Sequence, residues 1–198
     1  MAIKRGNEIP TIDVALVTIT KPGTEDEIAL DTASKIQVSV QSETEDAVKL
    51  IIKGRLIAQK REKVTITGNT IVLTDNTFNP EMVKVLQGGT IRYWTTEDKN
   101  ADGDTDNGFG VASYTPPVAG SVDTLDAFTL NAYSAIYNAA GLITGYERIT
   151  YPNCKGTPIA LNSEDNVFRA PEYTINSAPD IGEAPYTINY ISTLPTIN

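Results

Sequence analysis

One stretch of this chain carries helical spacing; the other periodic segments alternate or cluster as strands do, so the fold must be a β protein with a single helix. Ile12–Ile19 (IDVALVTI) is an apolar, β-branched run and Lys35–Val40 (KIQVSV) alternates apolar with polar, the two signatures of strands. Ala47–Ala58 (AVKLIIKGRLIA) reads as one longer strand, with Gly54 marking a bulge or bend inside it. Val64–Thr74 (VTITGNTIVLT) reads as a hairpin, because Gly68-Asn69 can supply the positive φ that a tight two-residue turn demands. Two further strands are expected at Phe128–Tyr137 and Tyr146–Tyr151.

The exception is Asn79–Gly89 (NPEMVKVLQGG), expected to be helical over residues 80–87. Asn79 can cap the first orphan N–H groups, and Pro80 fits the first helical position, where no donor is needed. Glu81 faces the positive end of the helix dipole. Met82, Val85 and Leu86 fall at i, i+3 and i+4 and define one buried face, and Gly88 offers a left-handed C-cap. From Pro152 onward the chain changes character, since six of its eleven prolines lie there. Each removes a ladder donor, so this stretch reads either as a punctuated edge strand or as an extended arm for a neighbouring subunit. The arm is expected over about 178–198 of a single 198-residue domain, with Tyr186, Ile188 and Tyr190 as contact residues.

Composition narrows the chemistry. The chain has no histidine and one cysteine, Cys154. Ser-His-Asp and Cys-His nucleophilic sets are therefore absent, as is a cysteine-based zinc site. Carboxylate chemistry stays open as a minor reading, but nothing else points to an enzyme. No run of about 18 apolar residues exists, so no span of a membrane by a helix is expected. The N-terminus has a basic pair with no apolar stretch behind it, unlike a secretory signal. No phosphate-loop or dinucleotide glycine pattern is present.

Charge is divided unevenly: residues 1–96 are neutral overall, while residues 97–198 carry the entire net charge of −9. Such a surface repels phosphate backbones. The densest basic region, Lys49, Lys53, Arg55, Lys60, Arg61 and Lys63, has no aromatic residue between its charges to stack a base. A charge contact with the acidic half of a neighbour is its better use. The acidic stretch at about 97–110 contains Asp98, Asn100, Asp102 and Asp104 in the spacing of half a calcium loop, D-x-N-x-D-G. The bidentate glutamate that should complete it is replaced by Phe109. A solvated acidic turn competes with calcium there, and no cofactor is otherwise required.

Three segments together carry a family resemblance: TITGNTIVLTDNTFNPEMVKVLQGGTIRY, AFTLNAYSAIYNAAGLITGYERITYPNCKG and EDNVFRAPEYTINSAP. In wording and order they resemble the major tail tube proteins of bacteriophages. The resemblance implies a mainly β fold, sandwich- or barrel-like, with one short flanking helix and an extended C-terminal arm. It implies a non-enzymatic subunit in a virion tail, made in the bacterial host cytoplasm. Such subunits form stacked, hexameric rings around a conduit for the genome. The implied partners are further copies of the chain, other tail proteins such as a tape measure, terminator or sheath, and DNA passing through an acidic lumen. The competing reading is a carbohydrate- or ligand-binding β-sandwich module with calcium in its acidic loop.

Overall fold

The computed structural model describes residues 8–21, 23, 27–95, 110–120 and 125–197. The strands are β1 (Thr11–Thr20), β2 (Glu27–Leu30), β3 (Ala33–Glu45), β4 (Val48–Ile52), β5 (Arg55–Lys60), β6 (Lys63–Asp75), β7 (Thr90–Tyr93), β8 (Val111–Thr115), β9 (Phe128–Tyr137), β10 (Ile143–Gly156), β11 (Glu172–Ser177) and β12 (Thr187–Ile191). Among the described residues one helix, α1 (Pro80–Gln87), follows β6. Eight strands form one antiparallel sheet in the order β2-β1-β9-β10-β11-β6-β3, with β12 added to β10. The mainly β class expected from the strand periodicity is the class observed. The sheet rolls far enough to bring β1 against β3, although four strands separate them in the ladder. Twist that accumulates strand by strand gives this half-closed barrel.

Inside the roll lies a single core. Val17 and Ile19 of β1, Ile71 and Leu73 of β6, Leu130 of β9 and Tyr173 and Ile175 of β11 are all buried in it. Helix α1 closes one side with Met82, Val83, Val85 and Leu86. Its N-terminus follows the sequence closely: Asn79 Oδ1 accepts from the Glu81 and Met82 N–H groups at 3.0 and 3.2 Å. Gly88 does have positive φ (80°), but its ψ of −156° lies outside the left-handed helical region, a cap only glycine tolerates. The small β7–β8 hairpin rests on the helix, where the Tyr114 hydroxyl donates to the Gly88 carbonyl at 2.8 Å.

Two turn assignments exchange places. Gly68-Asn69 is not a turn; β6 runs straight through it. A Cβ on Gly68 would sit 2.2 Å from the Ser177 carbonyl oxygen, so the glycine is there for close approach of β11. The pairing with β3 slips by one residue at that point, a bulge. The true turn is Lys53-Gly54, with φ of 47° and 75°, so residues 47–58 form the hairpin β4–β5 instead of one strand. Of the proline-rich end, β12 is the expected edge strand, pairing among the described residues with β10 alone, but β11 is not. β11 lies between β10 and β6, and Pro171 and Pro179 flank it. Pro152 is inside β10, at a register shift beside Asn153 with φ of 48°, where no ladder donor is needed.

Candidate assembly surface

The β3–β6 pair extends well beyond the core. Its core-facing side can be followed by register: Ile36 opposite Leu73, Val38 opposite Ile71, Val40 opposite Asn69, then Ser42 opposite Ile66 and Thr44 opposite Val64. Leu73, Ile71 and Asn69 are buried, whereas Val40, Ile66 and Val64 are exposed. The apolar stripe thus runs off the end of the chain's own core. Past Glu45 and Lys63 the ribbon continues as β4–β5, joined at the junction by the Lys60 Nζ to Glu45 Oε2 ion pair at 3.0 Å. From Ser42 to Ile52 this arm reaches about 35 Å at the usual rise per strand residue.

Strand pairing separates the two faces of the arm. Val48, Leu50, Ile52 and Ala58 lie on one face, and Ile51 and Leu56 on the other. Both faces are open, with Leu50 52 % and Ile51 59 % exposed. An isolated two-stranded hairpin is marginal in water, and among the described residues no third strand or helix covers this one. The six cations singled out from the sequence are brought together here. Lys49, Lys53, Arg55 and Lys60 are on β4, β5 and their turn, while Arg61 and Lys63 stand at the base. Lys60 already has an acidic partner in its own chain, so it is not free for a neighbour. Sequence reading marked the charges and passed over the apolar faces. The signal was present: seven apolar residues among Val48–Ile52 and Leu56–Ala58 break strict alternation, leaving no polar face for solvent.

The second group, Tyr186, Ile188 and Tyr190, is also assembled on one surface. Strand β12 pairs with β10 over Thr187–Ile191, so this part of the expected arm lies on its own domain. The three side chains share a face, partly exposed, next to buried Tyr151; the rings of Tyr151 and Tyr186 are 6.2 Å apart. Burial pushes the Tyr151 hydroxyl up to about 12, with Tyr186, Cys154 and Glu147 adding to it. Cys154 is buried and its thiol is pushed up to about 11, chiefly by burial, so it carries little thiolate near neutral pH. Asp98, Asn100, Asp102 and Asp104 lie outside the described residues. Among the described residues no group of His, Cys, Asp and Glu side chains could hold a metal ion, and no helix is long and apolar enough to cross a membrane.

No protein-family model matches the chain, and no curated protein matches it significantly. Solved structures similar to it include a chain from the tube-terminating cap of the anti-feeding prophage, 11 % identical over 96 % of this chain and 95 % of that one, with a TM-score of 0.39. A chain from the baseplate of the same particle, six-fold symmetrised, is 8 % identical over 96 % and 98 %, with a TM-score of 0.34. Both scores fall short of a shared fold.

Proposed function

We propose that this chain is a structural, non-catalytic subunit of a tail tube or tail-like particle, which assembles with copies of itself into stacked rings around a conduit. The observation that carries the reading is the β3–β6 ribbon with its β4–β5 tip, a two-stranded arm uncovered on both apolar faces. Fully burying one Val, Leu or Ile yields roughly 1.5–3 kcal/mol. The six large apolar residues Val48, Leu50, Ile51, Ile52, Leu56 and Ile57, each about half exposed, therefore hold roughly 5–8 kcal/mol in reserve. Association itself costs on the order of 4–15 kcal/mol. A single arm contact is then marginal, whereas a closed ring, in which each subunit gives one arm and receives another, is stable.

The resemblance of three segments to tail tube proteins supports the kind of assembly. A net charge of −9 suits a conduit that must not hold DNA, because like charge repels phosphates from the wall. Hexameric symmetry, an acidic lumen and contacts with tape measure, terminator or sheath proteins belong to the same proposal. Sedimentation velocity across a concentration series, with negative-stain electron microscopy of the same samples, tests it. Rings or tubes are expected. A monomer that persists at every concentration, and that binds a glycan instead, would put the carbohydrate-binding reading in its place.

A further inference from the structure

The arm needs a receptor, and the fold leaves one place shaped for it. Strands β11 and β12 occupy the same edge of β10, one after the other: β11 at Cys154–Gly156 and β12 at Tyr146–Thr150. While β11 lasts, its other edge is taken by β6, from Glu172 opposite Thr74 to Ser177 opposite Asn69. Beyond Asn69, among the described residues, β6 pairs with β3 alone and β12 with β10 alone. Two unpaired strand edges thus diverge from one point, fixed where Asn69 Nδ2 donates to the Pro185 carbonyl at 2.9 Å. One edge is Lys63–Thr67 of β6 and the other is Thr187–Ile191 of β12.

This wedge is apolar on the core-facing side of the sheet. Val64 and Ile66 flank it on the β6 edge, and Tyr186, Ile188 and Tyr190 on the β12 edge, all of them exposed. At its apex Asn69 is buried, and among the described residues its Oδ1 accepts no hydrogen bond. Open edges of this kind are templates for another strand.

We propose that the wedge between β12 and the outer part of β6 receives the β4–β5 hairpin of a second copy of this chain. This rests on the self-assembly reading and names the two surfaces that meet. Three features of the hairpin match. It has two free edges for the two edges of the wedge. Its strands are five and six residues long, against five residues of open edge on each side. It is apolar on the faces that insertion would cover. Because hairpin and wedge are different surfaces, the contact is head-to-tail, and it propagates into a closed ring or a filament rather than stopping at a dimer.

Mixing two singly substituted full-length proteins tests the pairing. One carries Leu50→Cys or Ile51→Cys, on opposite faces of the hairpin; the other carries Ile188→Cys. The native Cys154 is buried and does not compete. After mild oxidation, a crosslinked pair of chains is expected from one of the two mixtures. Its yield should exceed by about tenfold that with Phe168→Cys, which is 96 % exposed on the segment that enters β11 at Glu172, the end of that strand away from Asn69, because docking raises the local thiol concentration. Rings or tubes without a crosslink above that control would overturn the hairpin–wedge pairing and leave self-assembly standing. A disulfide formed within one chain carrying Ile51→Cys and Ile188→Cys, at a rate independent of concentration, would also overturn it, since the hairpin would then fold back on itself. Absence of both crosslink and assembly, with circular dichroism showing folded variants, removes the pairing and the assembly reading together.

Discussion

Strand β9 and the β4–β5 arm each carry apolar residues on two faces and meet opposite fates. In β9 both faces are buried: Phe128, Leu130 and Ala132 on one, Asn131, Tyr133 and Ala135 on the other, with β1 and β10 on its two edges. In the arm both faces and both edges are open. Apolar content on two faces therefore marks a strand that will be covered, without saying by which chain. For β9 the cover comes from its own domain. For the arm we infer a second copy. The comparison separates residues that hold the fold together from residues that hold the particle together.

The largest expected effect breaks the two apart. Replacing residues 48–60 by a short turn should abolish ring or tube formation while the core unfolds at nearly unchanged denaturant concentration. Loss of the fold along with assembly, seen in a urea titration followed by circular dichroism, would mean that the arm also supports its own domain. Next in size is Leu86→Ala, which deletes a fully buried side chain of α1. The cavity should cost about 2–4 kcal/mol in the same titration. Below about 0.5 kcal/mol, this helix face could not be core. Smallest is Lys60→Ala. The Lys60–Glu45 pair is 65 % and 60 % exposed, and such pairs contribute about 0–1 kcal/mol. Stability should hardly move, and assembly should weaken little, since Lys60 is already engaged within its chain. A loss of assembly as deep as that from removing the whole arm would show that this ion pair, and not the apolar faces, fixes the arm for docking.

What could be read in advance depended on how far away the cause lay. Helix α1 was legible to the residue, because cap, proline, first-turn acid and apolar spacing all act within a few positions of each other. Strand β9 was equally legible from its own composition. Gly68-Asn69 was misread because its reason is not local: the glycine makes room for the Ser177 carbonyl, and Asn69 reaches Pro185, both from the far end of the chain. Lys53-Gly54 is the turn, with positive φ at both residues. The cations of the arm were visible as a cluster, and so were Tyr186, Ile188 and Tyr190. That they stand on two separate open surfaces was not, because strand order is set by which edges the sheet leaves free. The sequence by itself determined the β class, the single helix and the division of charge, all sums over local preferences. Only the tertiary structure decided that β11 fills the centre of the sheet, that β6 and β12 diverge at Asn69, and that the most apolar hairpin faces outward. Those outcomes follow from pairing between distant segments, where backbone hydrogen bonds and close approach outweigh any local preference.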